Sequence, residues 1–131
     1  MKKLRGYIFS RPFYGERVPQ NIQNLVIRNY CEKNSFIYLL SIVEYCIEET
    51  FLNLNLAISQ LKNCDGIVAY SLFQLPANQS KRKEIVLKTL KAKKEIHFAL
   101  ENMKILKLED YYKISDILNV KKTLFECPKI L

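Results

Sequence analysis

No apolar run in the sequence approaches the roughly 20 residues that a membrane-spanning helix needs, so no transmembrane segment is expected. The start, Met1-Lys2-Lys3-Leu4-Arg5, has the basic character of a signal-peptide n-region. Arg5, Ser10 and Arg11 interrupt the apolar core that should follow it. The expected location is therefore cytoplasmic. The cysteines, Cys31, Cys46, Cys64 and Cys127, show no C-x-x-C spacing, and the chain has 1 histidine, which together leave no zinc ligand set. Reduced, structural thiols are the expectation. There is no P-loop and no dinucleotide fingerprint, so no cofactor is expected. Internal repeats, low-complexity linkers and composition breaks are also missing. A chain of 131 residues without them reads as one domain over residues 1–131.

What is present points to a globular protein: 49% of residues are hydrophobic and 26% charged. The net charge of +8 attracts anions of any kind, including nucleic acid, membrane headgroups and phosphorylated small molecules.

The chain is organised around Gly6–Asn24. It opens as an apolar strand, Arg5–Ser10, and turns at once into a polar segment carrying Ser10, Arg11, Tyr14, Glu16, Arg17, Gln20 and Gln23, punctuated by Pro12, Gly15 and Pro19. A helix follows with Pro19 at its first position. Ile22, Leu25, Val26, Asn29 and Tyr30 recur at the spacing of one helical face, and Lys33-Asn34 marks the stop. Strand two is expected over Ser35–Val43, ending at Glu44-Tyr45. A crossover helix is expected from about Thr50 to Lys62. Strand three follows the Asp65-Gly66 turn with Ile67-Val68-Ala69-Tyr70. Asn78 or Ser80 caps a helix to about Lys94 with Ile85, Val86, Thr89 and Leu90 buried. Strand four runs Glu95–Leu100 and closes with Glu101-Asn102. A last helix, Leu108–Leu124, turns Ile114, Ile117 and Leu118 inward. Strands separated by helices imply right-handed crossovers and a parallel sheet. The expected fold is a three-layer α/β domain, flavodoxin-like, with a mainly parallel four-stranded sheet in the order 2-1-3-4.

That order sets the carboxyl ends of strands one and three side by side, where open α/β sheets place ligand sites. It gathers Ser10, Arg11, Arg17, Gln20, Glu44, Tyr45, Ser71, Gln74 and Glu101 near one edge. Arg11 and Arg17 offer forks for a phosphate or carboxylate. Glu44, Ser71 and Gln74 can hold hydroxyls, and Gln20 and Tyr45 complete the expected substrate-binding set. Ser10 can hold an anion at the helix start, or act as a nucleophile if Glu44 or Glu101 serves as its base. Taken singly, these residues read equally well as surface pairs (Arg11–Glu16, Arg17–Glu44), caps and turn formers. Taken together they read as a site, because prolines and a glycine fix the backbone around them. His97, between Ile96 and Phe98, reads as a packed core residue. The basic run Lys81, Arg82, Lys83, Lys88, Lys91, Lys93 and Lys94 reads as a solvated helix face, since neither a recognition helix nor interleaved aromatics accompany it. Tyr111, Tyr112, Leu124, Phe125, Ile130 and Leu131 read as an interface, giving a homodimer or a complex with a pathway enzyme.

Several segments carry a resemblance to a known family: Arg5-Gly-Tyr-Ile-Phe-Ser-Arg-Pro-Phe, Gly15-Glu-Arg-Val-Pro-Gln with Gln23-Asn24, Glu44-Tyr45, Asp65 through Pro76, and His97-Phe98-Ala99. They resemble the sporadic carbohydrate cluster proteins, encoded among bacterial genes for surface polysaccharide and lipopolysaccharide (O-antigen) synthesis. This resemblance implies a pathway context; with the ligand class that Arg11, Arg17, Glu44, Ser71 and Gln74 suggest, the expectation is a protein that binds, or as an enzyme acts on, a phosphorylated or nucleotide-linked sugar, with nucleic acid not expected as a partner. Alternatives are a noncatalytic subunit of a neighbouring pathway enzyme and a degenerate recombinase relative that binds nucleic acid. The last rests on a second resemblance, to the catalytic domain of serine recombinases. It is carried by Gly6-Tyr7 followed by Ser10, by the helix containing Gln20, by Asp65-Gly66 and by the Leu75 region. It implies a resolvase-like fold. Recombinases carry paired arginines after strand three, where this chain has Phe73-Gln74-Leu75-Pro76, and their DNA-binding tail has no counterpart before Leu131. Both departures speak against DNA cleavage.

Overall fold

A computed structural model of the chain describes residues 1–9, 18–44, 64–76 and 78–126. Its centre is strand β1, Lys3–Phe9, in which Leu4, Tyr7, Ile8 and Phe9 are all buried. A strand buried on both faces needs neighbours on both edges. On one edge lies β2 (Ile37–Glu44) and on the other β3 (Gly66–Ala69), both parallel to it. β4 (Glu95–Phe98) extends the sheet in parallel beyond β3. A short β5 (Met103–Ile105) pairs antiparallel with β4, so the full order is β2-β1-β3-β4-β5. The expected arrangement 2-1-3-4 is thus present, with β5 as an unforeseen edge strand. Strand four ends at Phe98, short of the expected Leu100, because a turn with Asn102 at φ 54° reverses the chain there.

Gly6 and Gly66 sit where strands approach closely. A Cβ on Gly6 would collide with the Ser41 side chain of β2, and one on Gly66 with the Glu95 carbonyl of β4. Beside Gly6 the β1–β2 register is irregular, two steps from Arg5 to Tyr7 facing three from Leu39 to Ile42, as at a β-bulge.

Among the described residues three helices cover the sheet: α1 (Gln20–Lys33), α2 (Gln79–Lys91) and α3 (Leu108–Glu126). From β1 through α1 to β2 the chain steps one way along the sheet, and from β3 through α2 to β4 it steps the other. Right-handed crossovers in opposite directions put α1 and α2 on opposite faces, which makes the three layers. The expected helix over 50–62 lies outside the described residues.

The buried face of α1 differs from the one its periodicity marks. Gln23, Ile27, Tyr30 and Cys31 point inward, while Ile22 and Leu25 are exposed at 41% and 58%. The helix is turned by about one residue because Gln23, a polar side chain, takes a core position. Pro19 is the residue preceding the helix, its carbonyl accepting from the N–H groups of Ile22 and Gln23 at 3.1 Å each. In α2, Asn78 caps the start by accepting from the Lys81 N–H at 3.1 Å. Its inward face is Arg82, Ile85, Val86 and Thr89. Arg82 is therefore no part of a solvated basic face. Its guanidinium donates to the Pro76 carbonyl (3.2 Å), Ser115 Oγ (3.1 Å) and Asn119 Oδ1 (3.4 Å), tying α2 to α3. In α3, Tyr111, Ile114 and Leu118 are buried and Ile117 is 39% exposed. Tyr111 thus belongs to the core and not to an exposed apolar patch. The side chains of Leu124, Phe125, Ile130 and Leu131 lie outside the described residues. No helix among the described residues is long and apolar enough to cross a membrane.

Candidate functional site at the carboxyl edge of the sheet

With α1 following β1 on one face and α2 following β3 on the other, the carboxyl ends of these two strands are where an open α/β sheet places its crevice. The residues there form a connected polar network. Gln23 occupies its centre, fully buried on the first turn of α1. Its Oε1 accepts from the Phe9 N–H at 2.9 Å, and its Nε2 donates to the carbonyls of Phe9 (2.9 Å) and Val18 (2.8 Å). One side chain thereby holds the end of β1 against the residues that lead into α1. Gln74 Nε2 donates to the same Oε1 at 2.7 Å, bringing in the turn after β3.

That turn is a single 3-10 turn, Leu72–Gln74, capped reciprocally. Ser71 Oγ accepts from the Phe73 N–H at 3.2 Å, and Gln74 Oε1 faces the Ser71 N–H at 3.5 Å. Glu101, on the turn after β4, completes it. Its Oε2 accepts from Ser71 Oγ–H at 2.7 Å and its Oε1 from the Leu72 N–H at 2.9 Å. Both Glu101 oxygens thus serve the loop backbone and its serine. At the far side of the crevice Tyr7 Oη donates to Glu44 Oε2 at 2.9 Å, with Glu44 1% exposed at the end of β2.

The structure therefore brings Ser71, Gln74 and Glu101 into direct contact and sets Glu44 on the same edge. Gln20 stands apart, exposed at the start of α1. Ser10, Arg11, Arg17 and Tyr45 lie outside the described residues. Glu44 is buried, and Arg17, the partner expected for it at the surface, lies outside the described residues. Two of the residues at this edge, Tyr7 and Gln23, are not among the expected site residues. In the sequence Tyr7 is one apolar strand residue among several. Gln23 does carry a signal, a glutamine one turn into the helix that follows a β1 loop, but the apolar periodicity points past it. Among the described residues no group of histidine, cysteine or acidic side chains is placed to hold a metal ion.

A second polar chain runs through the core towards the opposite edge. His97 is 1% exposed, with Nδ1 2.6 Å from Tyr30 Oη and Nε2 3.4 Å from Glu95 Oε1. Lys2 Nζ closes the chain at 2.9 Å from Glu95. Burial lowers the His97 pKa from its ordinary value, against the pull of Glu95. Burial, together with the Cys31 and Glu95 charges, pushes Tyr30 up to about 12, so it stays a hydroxyl donor. A neutral His97 that accepts from Tyr30 at Nδ1 and presents Nε2–H to Glu95 satisfies both neighbours. Burial also raises the Cys31 thiol to about 11, in keeping with a structural role.

The α2 face carries the remaining charge. Lys81, Lys83 and Lys88 are exposed, with Glu84 the only acid on the helix. Lys83 Nζ lies 5.8 Å from the centroid of the Tyr112 ring, and Tyr112 is 49% exposed.

No family model matches the sequence, and no curated protein matches it either. Solved structures do. The N-terminal catalytic domain of TP901-1 integrase is similar over 92% of this chain and 95% of its own, with a TM-score of 0.57 at 13% identity. A resolvase family site-specific recombinase from Streptococcus pneumoniae is similar over 92% of this chain and 89% of its own, with a TM-score of 0.64 at 8% identity. The fold is that of resolvase catalytic domains, a mixed α/β fold with a mostly parallel sheet. These neighbours overturn the surface-carbohydrate reading. The expected sugar-phosphate or nucleotide-sugar ligand, the lipopolysaccharide and O-antigen context, and the dismissal of nucleic acid as a partner are all corrected. The error has a physical source: a net charge of +8 and a polar sheet edge attract any phosphate, and do not separate a sugar phosphate from a nucleic-acid backbone.

Proposed function

We propose that this chain is a nucleic-acid-binding domain of resolvase architecture. It holds the phosphate backbone along the carboxyl edge of the sheet and the adjoining half of α2. The fold likeness to integrase and recombinase domains supplies the class of partner. The observation that carries the reading is Tyr112 beside Lys83. The basic helix lacks an aromatic of its own, but α3 delivers an exposed ring to it. Lysines for phosphates and an exposed ring for a base are the two elements that single-strand binders combine. α2 runs antiparallel to the strands it connects, so Lys81 and Lys83 stand at its carboxyl-edge end.

Fluorescence anisotropy with labelled single- and double-stranded DNA at several salt concentrations tests the reading. Affinity should fall steeply with salt. Lys81→Gln/Lys83→Gln/Lys88→Gln should flatten the log–log slope by roughly 0.7–0.9 for each phosphate that is no longer neutralised. Tyr112→Ala should weaken single-strand binding by about 1–3 kcal/mol. Salt-independent retention, or a triple variant that binds like the native protein, sinks the proposal.

A further inference from the structure

At the amino edge of the sheet, away from the crevice, the end of α2 and the β5–α3 connection leave an open groove of about 1030 Å³. Its floor is aliphatic. Leu87 and Leu90 come from α2, and Leu106 and Leu108 from the other wall. Leu87 and Leu106 are 43% and 45% exposed, so the floor is open to solvent. Lys91, Lys93 and Lys107 stand around it.

The acids in this wall are occupied within the fold. Asp65 Oδ2 accepts from the Lys3 N–H at 2.7 Å, and Glu95 is held by Lys2. Lys94 Nζ is turned to the Cys64 carbonyl at 2.8 Å. Lys107 pairs with Glu109 at 3.3 Å, both highly exposed. Among the described residues Lys91 and Lys93 make no ion pair. The groove is thus a leucine trough with uncompensated positive charge on its rim.

We propose that this groove docks an amphipathic helix from another protein, with aliphatic residues at i, i+3/i+4 and i+7 and acidic residues flanking them. Helix-in-groove recognition pairs an apolar stripe with such a trough, and the lysine rim selects the sign of the flanks. A nucleic acid fits the trough poorly: it has no aliphatic stripe, and among the described residues no aromatic side chain lines the groove for a base to stack on. An acyl chain needs enclosure, and this trough is open. The inference stands independently of the nucleic-acid reading, since Lys81 and Lys83 stand at one edge of the sheet and Lys91, with Lys93 just past the helix, at the other.

The test uses the full chain and three synthetic peptides: a helix with leucine on one face and glutamate on its flanks, the same peptide with lysine for glutamate, and a scramble of the first. Isotope-labelled protein should show saturable amide shifts around Leu87, Lys91, Leu106 and Lys107 with the acidic peptide alone. Leu87→Gln and, separately, Lys91→Glu/Lys93→Glu should weaken that binding roughly tenfold or more while leaving thermal unfolding in place. Leu106→Gln provides the same test from the other wall. The salt slope for DNA should be unchanged in Leu87→Gln, so a failure here is distinguishable from a failure of the nucleic-acid reading. Equal binding of the scramble, shifts located elsewhere, or loss of DNA or anionic-vesicle binding in Leu87→Gln would overturn the proposal.

Discussion

Gln23 Oε1 accepts from Gln74 Nε2 at 2.7 Å in the buried floor of the crevice, joining α1 to the turn after β3 across 51 positions of sequence. The same oxygen accepts from the Phe9 N–H and the same amide donates to Phe9 and Val18. Gln23→Leu removes these bonds together and leaves buried polar atoms behind, at about 1–3 kcal/mol each and less than additively. A loss of about 3–5 kcal/mol is expected. Gln74→Leu should cost about 1–3 kcal/mol. Urea midpoints for the two single variants and the double variant close a cycle, and a coupling of at least ~0.5 kcal/mol is expected between touching side chains. Additive losses would show that the Gln23–Gln74 bond contributes nothing of its own.

His97 sets a pH dependence. Its folded pKa lies below the ordinary 6.5, chiefly through burial. The unfolded chain therefore takes up a proton before the folded one does. The contribution is fully present above about pH 6.5 and is lost as pH falls through the folded pKa, by at most ~1.36 kcal/mol per pH unit for one proton. Stability measured at pH 7.5 and 5.5 should drop on acidification, and His97→Phe should remove that part of the drop. An unchanged drop in the variant would assign it to other groups.

Ser35 and Lys93 adopt φ of 58° and 60° just past the ends of α1 and α2. Around Ser35 the Phe36 N–H reaches the Cys31 carbonyl (2.8 Å) and the Ser35 N–H the Glu32 carbonyl (3.3 Å). That pattern normally carries glycine at its left-handed position. Ser35→Gly should raise stability by about 0.5–1 kcal/mol, the relief of left-handed strain less the added freedom of the unfolded chain. Gly66→Ala should act oppositely, losing about 3 kcal/mol as β3 and β4 are forced apart around the Glu95 carbonyl. Thermal unfolding of both variants checks the pair, and a destabilised Ser35→Gly would contradict the strain argument.

Local signals determined much of the fold. The apolar runs at Tyr7–Phe9, Ile37–Leu40 and Ile67–Tyr70, a cap at Asn78 or Ser80 and the alternation of strand with helix were enough for the class, and 2-1-3-4 was the simplest order for four such strands. Each depends on residues close together in the chain, where backbone propensity and periodicity act. Tertiary structure alone decided what the polar residues do. Gln23 became a core residue because Phe9, Val18 and Gln74 converge on it, and α1 turned away from the face its own periodicity marked. Arg82 left the basic run because Pro76, Ser115 and Asn119 surround it. Lys83 acquired an aromatic neighbour from 29 positions away. A polar side chain is buried only where distant partners satisfy it, and the identity of those partners is set by packing that no local window contains.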